Sequence, residues 1–316
     1  VIGTRRTAAR VAATATAARC EWPTRVGDLA TTLRPYLDGN SRHSDAAILH
    51  GAALQAGRRL GDRTCEARAL TDLGWTAWRR GDYDEAEALS RRAVGLCRAT
   101  GIAYEEARAY NTLGNVASRR RDFESARELF GRALELTHAV GNRVGEAHVL
   151  GNLGVILDRC GMPAAAADHL SRALTLHREL GNRRGEALVL DHIGLVYRRD
   201  GRIGPAFDHH RQAAELYEEL GDHHDRAAAI NGLGETARAA GDPQRALADH
   251  TAALRLAENH GNRSEQARAE EGLARTHHDL GDTDLARHHA RRALAGWRAL
   301  QVPDAEDVRE FLDGLG

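Results

Sequence analysis

Seventeen histidines give this chain the look of a metal binder, and eight of them form the adjacent pairs His209-His210, His223-His224, His277-His278 and His288-His289. Successive side chains on a helix point about 100° apart. No pair therefore converges on an ion, and no HExxH sets two histidines at i, i+4. His210 and His250 stand 40 residues apart in one register and would approach each other if their helices stack. Two donors do not make a closed site, so surface placement is the simpler expectation. The four cysteines, Cys20, Cys65, Cys97 and Cys160, are 45, 32 and 63 residues apart, without a CxxC pair. That spacing fits a reducing, cytoplasmic setting. No Ser/His/Asp or Cys/His arrangement sits in a strand-turn-helix context. The chain is expected to be a non-enzyme with no cofactor and no metal.

Two other patterns suit binding better. Arg79, Arg119, Arg159 and Arg199 recur at a 40-residue step. They read either as a basic stripe for an acidic peptide or as ordinary complements to helix C-termini. Glu66, Glu106, Glu146 and Glu186 complement the N-termini in the same way, and a solvated charge pattern is the commoner case. The second pattern is a row of aromatic and polar residues at helical spacing: Trp75, Trp78, Asn111, Asn115, Asn152, Asp191, Arg198, Asn231, Glu235 and Arg238. A carboxamide both donates and accepts, which suits the backbone of an extended ligand. Two tryptophans one turn apart offer an apolar anchor, or else simply pack inside.

The elements that position these residues come from an internal repeat. Gly61, Gly101, Gly141, Gly181, Gly221 and Gly261 are each 40 apart, and Gly74, Gly114, Gly154, Gly194, Gly234 and then Ala274 follow each by 13. Alanines keep the step at 86, 126, 166, 206, 246 and 286, and again from 93 to 293. A fixed period of this size predicts a solenoid whose units bury their apolar faces against neighbours. Within residues 141–180, Ala147, Leu150, Leu153 and Leu157 form one helical stripe, and Ala166, Leu170, Ala173 and Leu174 a second. Gly141 and Gly181 supply left-handed helix ends. Asp82 with Glu85 resembles a capping box, and Asp242-Pro243 a cap followed by a first-turn proline. The glycine inside each first helix gives up ~1 kcal/mol of helix propensity. Its expected return is close approach to the small alanines of the second helix.

The predicted organisation is an N-terminal arm or worn helix over 1–21, a degenerate first pair over 22–60 in which Pro35 disturbs the helix, six 40-residue units over 61–300, and a capping helix over 301–316. Aromatic residues make up only 4% of the chain, so the core must be built of Ala and Leu. A net charge of -1 gives no global attraction to nucleic acid or an acidic membrane. No apolar run approaches the ~18 residues a membrane helix needs.

The pairs Leu73-Gly74, Leu113-Gly114, Leu153-Gly154 and Leu233-Gly234, with alanines 12 and 19 residues after each glycine, resemble the tetratricopeptide signature over about residues 22–300. The resemblance implies an all-α, right-handed superhelix of helix-turn-helix repeats that binds a protein or peptide in its concave groove. In peptide-binding members, asparagines near the Leu-Gly pair hold the ligand backbone; Asn152 occupies such a position, and Asn111 and Asn231 stand one residue earlier. The phrases from Leu180 to Ala187 and from Val149 to Gly154, and the ending Leu300 to Val308, are similar to the C-terminal arrays of bacterial AfsR and NB-ARC-type signal-transduction ATPases. There the array senses or recruits, often in transcriptional control. A P-loop needs a lysine, and this sequence has none. The 316 residues therefore hold no such ATPase module, and the array is expected to be either a severed arm or a free-standing relative. An assembly scaffold using convex or edge contacts, with a homodimer as one form, and a small-molecule sensor are the other two readings.

Overall fold

In a computed structural model the described residues, 23–39 and 42–315, form fifteen α-helices and no strand. The predicted arm and residues 22, 40, 41 and 316 lie outside them. Helix α1 spans Pro23–Gly39, α2 His43–Leu60, α3 Arg63–Arg80, α4 Tyr83–Thr100 and α5 Ala103–Arg119. Then come α6 Phe123–Ala139, α7 Arg143–Arg159, α8 Pro163–Glu179, α9 Arg183–Arg199 and α10 Ile203–Glu219. The chain continues through α11 His223–Ala239, α12 Pro243–His260, α13 Arg263–Asp279, α14 Thr283–Leu300 and α15 Asp304–Gly314. Contacts divide the described residues into two compact units, one up to residue 116 together with 128–142, the other 117–127 together with 143 onward. In the second, α7/α8, α9/α10, α11/α12 and α13/α14 pack as hairpins, and α7, α9, α11 and α13 each touch the next in a layer of first helices.

A turn comes every 20 residues. Backbone φ is positive at Gly61, Gly81, Gly101, Gly141, Gly161, Gly181 and on to Gly281, at steps that, among the described residues, only Arg121 (φ 60°) and Gln301 (φ 54°) fill without glycine. Left-handed backbone costs an ordinary residue on the order of 1 kcal/mol, so eleven glycines at these turns are what sterics would select. Helix starts are capped where the sequence offers an acceptor. Asp62 accepts from Cys65 N at 3.0 Å, Asn182 from Gly185 N at 3.1 Å and Asp242 from Arg245 N at 3.0 Å. The box expected at Asp82 does not form, because its carboxylate pairs with Arg80 at 3.2 Å instead. Pro35 does not break α1 either; the helix runs unbroken past it to Gly39.

Both alanine registers are fully buried, from Ala86 to Ala286 and from Ala93 to Ala293. The interior glycines do more than the close approach expected of them. A methyl placed on Gly114 would fall 2.6 Å from the Phe130 ring, on Gly154 2.7 Å from Leu170, on Gly194 2.9 Å from His210 and on Gly234 2.7 Å from His250. Each glycine is a notch for the second-helix residue sixteen positions later, which is usually large. The backbone does approach as well, with the Ala166 carbonyl 3.3 Å from the same methyl on Gly154. Where the notch closes, at Ala274, the residue sixteen later has shrunk to Ala290, and both are fully buried. Volume is conserved across the pair, as close packing requires.

Candidate functional site

In the first unit, Trp75 and Trp78 lie half-buried on α3 with ring centroids 5.0 Å apart and planes 17° from parallel. The guanidinium of the buried Arg79 sits 5.8 Å over the Trp75 ring. This is a rigid aromatic plate backed by a cation, and the indole N–H of Trp78 meets no acceptor among the described residues. Helix α5 is tied to α3 by Arg108, which reaches Asp72 at 2.7 Å. Asn111 and Asn115 are half-buried one turn apart on α5.

Asp72 is itself almost completely buried and also meets Arg34 at 3.3 Å and His50 at 3.7 Å. Burial alone would raise its pKa, but Arg108, His50 and Arg34 outweigh that and hold the carboxyl below the usual range. Sequence reasoning passed over Asp72 and Arg108. Their signal was a charge on the apolar side of a stripe, answered by an opposite charge 36 residues on.

In the second unit the predicted row is laced together. Arg198 pairs with Glu235 at 2.8 Å, Glu235 with Arg268 at 2.6 Å and Arg238 with Asp279 at 2.7 Å. Desolvation disfavours the Glu235 carboxylate, yet Arg268 and Arg198 hold its pKa well below the usual value. His210 Nδ1 donates to Asp191 at 2.6 Å. Burial pushes against the Asp191 charge, and the His210 bond with the positive neighbours outweighs it, so its pKa also falls. Asn152 is half-buried on α7. Asn231 faces inward instead. It is fully buried, its amide donating to the Glu265 carbonyl at 3.1 Å and carboxylate at 2.9 Å, and its oxygen meeting His250 at 3.1 Å.

His210 and His250 do not meet. His210 fills the space between Gly194 and Gly232, and His250 that between Gly234 and Gly272. Burial lowers the His250 pKa to about 4, with Glu235 resisting and Arg268 and Arg238 assisting. No group of three or more potential ligands for a metal ion occurs among the described residues. The arginine register divides by partner: Arg79 on Trp75, Arg119 on Ser264 at 2.7 Å, Arg199 on Asp158, and Arg159 on the Phe123 ring at 5.7 Å.

The tetratricopeptide repeat family model matches residues 39–99, 105–179, 183–259 and 225–299. The chain belongs to the tetratricopeptide repeat family. Among solved structures it is similar to a Rap protein complexed with competence and sporulation factor, at 15% identity and TM-score 0.65, over 88% of this chain and 78% of that one. The apo form of RapI is similar at 14% identity and TM-score 0.60, over 87% and 98%. A signal transduction ATPase with numerous domains from Pyrococcus horikoshii, carrying a tetratricopeptide repeat sensor, is similar at 11% identity and TM-score 0.61, over 90% of this chain but only 42% of that one. At these identities the likeness is one of fold. No curated protein matches the sequence. Among the described residues no helix is long and apolar enough to cross a membrane.

Proposed function

We propose that this tetratricopeptide array binds an extended peptide segment of a protein partner on the face formed by the first helices of its pairs, as the sensing or recruiting arm of a regulatory system. The observation that carries the reading is the half-exposed Trp75–Trp78 stack on α3, the helix that the Asp72–Arg108 pair ties to α5 with its half-buried Asn111 and Asn115. Aromatic residues fixed in a pocket are what interface hot spots are made of. A carboxamide such as that of Asn115 can satisfy a peptide backbone that would otherwise lose its hydrogen bonds to water. The Rap protein complexed with competence and sporulation factor and the signal transduction ATPase with a repeat sensor support a regulatory role of this kind.

The test is selection of peptides from a random display library on the immobilised chain, followed by titration of a selected peptide against Trp75→Ala, Trp78→Ala and Asn115→Ala. Each tryptophan change should weaken binding about 30-fold, the size of a ~2 kcal/mol hot spot. Peptides that bind all three variants as tightly as the parent would move the site elsewhere and favour an assembly scaffold.

A further inference from the structure

The second unit is fastened to itself across a long stretch of sequence. Its first helices are joined in order by ion pairs near their C-terminal ends. Arg199 of α9 takes Asp158 of α7, Arg198 of α9 takes Glu235 of α11 at 2.8 Å, and Arg238 of α11 takes Asp279 of α13 at 2.7 Å. At the α7 end of this row the Arg159 guanidinium lies 5.7 Å over the ring of Phe123, the first residue of α6. Arg119 and Arg121, in the same short segment as Phe123, reach the opposite end of the row. Arg119 bonds Ser264 in the first turn of α13 at 2.7 Å and lies 5.2 Å over the Trp297 ring of α14. Arg121 takes Asp307 and stands 3.7 Å from Asp304, both on α15. Ser264 and Asp307 lie 145 and 186 residues beyond the arginines they meet. These contacts close a circuit through α7, α9, α11 and α13.

This strap is built unlike the packing around it. Its links are side-chain tips, and the Arg121 and Asp307 side chains are each 43% exposed. Ion pairs as wet as that are individually weak, because water replaces them at little cost. The α15 segment, by contrast, has an apolar anchorage of its own. Val308 and Leu315 are buried, and Phe311 packs edge-on to His278 with Arg275 5.0 Å over its ring. Losing the strap therefore leaves α15 folded on its own unit while freeing the turn before α6. The backbone at both ends is unusual as well. Among the described residues Arg121 and Gln301 are the two non-glycine residues with positive φ, and they stand at the two turns the strap joins. A left-handed arginine where the sister turns carry glycine is a strain that its contacts with Asp304 and Asp307 offset.

We infer that Arg119 and Arg121 form a charge-held latch. Closed, it joins the start of the second unit's first-helix layer to its end and fixes the span from α7 to α13; open, it lets that span lengthen. Two arrangements close in free energy can be shifted by a modest bias. Salt is such a bias, since the Debye length falls from roughly 10 Å at 0.1 M to about 3 Å at 1 M, and exposed charges feel it first. The latch does not depend on peptide binding. It sets the helix spacing that a segment lying along this layer would have to match.

Double electron–electron resonance on the full chain reads the span directly. Spin labels go on Glu124→Cys, beside the latch arginines, and Glu310→Cys on α15, both exposed positions, after Cys20, Cys65, Cys97 and Cys160 are changed to Ala. At 50 mM salt one short distance is expected. Salt at 1 M, or Asp304→Asn with Asp307→Asn at 50 mM, should add a second distance about 5 Å longer, the rise of roughly one helical turn. Circular dichroism should keep its helical signal throughout. Arg121→Glu with Asp304→Asn and Asp307→Arg exchanges the charges, and should restore the short distance at 50 mM and lose it again at 1 M. Asp208→Asn, which breaks an exposed pair with Arg211 on α10, should leave the distance unchanged. One unchanged distance in high salt and in the Asp304 and Asp307 double variant would overturn the inference. So would equal lengthening in Asp208→Asn, or a charge-exchanged variant that stays long at 50 mM. The distances are read without a peptide, so the latch and the peptide-binding reading fail separately.

Discussion

Gly234→Ala should destabilise this protein, although alanine is the better helix former. Alanine in a helix interior is favoured over glycine by ~1 kcal/mol, and that gain applies here as anywhere. Against it stands His250. A methyl on Gly234 falls 2.7 Å from the ring, and the ring cannot retreat because Gly272 of α13 presses on its other side. Its Nδ1 is also fixed to Asn231 at 3.1 Å. Overpacking a filled site costs about 1–3 kcal/mol. A ring pinned between two helix backbones belongs at the upper end, leaving a net loss of about 1–2 kcal/mol. For a cooperative unit of this size that corresponds to a fall of about 2–8 °C in melting temperature. Gly95→Ala is the control: Gly95 is exposed within α4 with nothing within 4 Å of an added methyl, so that change should raise the melting temperature. Gly234→Ala with His250→Ala imitates the Ala274–Ala290 arrangement, and the pair should be less destabilising than the sum of the two single changes. Circular dichroism melts and urea titrations of the four variants decide it. A Gly234→Ala protein as stabilised as Gly95→Ala would refute the notch account.

The remaining expectations concern buried polar groups. His177 is fully buried, neither ring nitrogen has a hydrogen-bond partner among the described residues, and burial, with His148 beside it, lowers its pKa to about 3. The unfolded chain takes up a proton below its ordinary pKa of about 6.5, and the folded chain does not until near pH 3. Stability is therefore full above about pH 6.5 and falls as pH drops toward the folded value, by up to ~1.4 kcal/mol per unit from this group. His177→Leu should flatten that loss between pH 6.5 and 4.5 and stabilise the protein at pH 7 by removing unsatisfied nitrogens, both readable from urea midpoints. Asp72→Asn should cost about 1.5–3 kcal/mol, because Arg108 loses one of its two carboxylate partners and keeps only Glu105 at 2.7 Å; a loss under about 0.5 kcal/mol would contradict that. Arg121→Gly should relieve backbone strain yet release the α15 first turn, so hydrogen exchange at residues 304–308 should quicken without a large change in melting temperature.

How much of this was legible in the residues depends on how local each cause is. The helix hairpins follow from periods that sit in plain view: turn glycines at 40-residue steps, two alanine registers, and caps such as Asp242-Pro243. The notch was half legible. Gly154 announced a close contact, but the partner stands sixteen residues on in another helix, and its type changes from Phe130 to Leu170 to His210 and His250, so no single letter marks it through the array. Only the joint change to Ala274 and Ala290 betrays the coupling. For the site, the face was readable from helical spacing while exposure was not. Asn231 and Asn111 share a register, yet Asn231 turns inward because His250 and Glu265 offer it buried partners that depend on residues 19 and 34 positions away. The arginine step shows the same limit in reverse. Four identical residues at one spacing suggested one role, and their neighbours gave them different ones, since Trp75, Ser264, Phe123 and Asp158 follow no 40-residue rule. A repeat dictates where each side chain starts. What it meets is set by positions the repeat leaves free to vary, and those are the positions where a binding surface can be made specific.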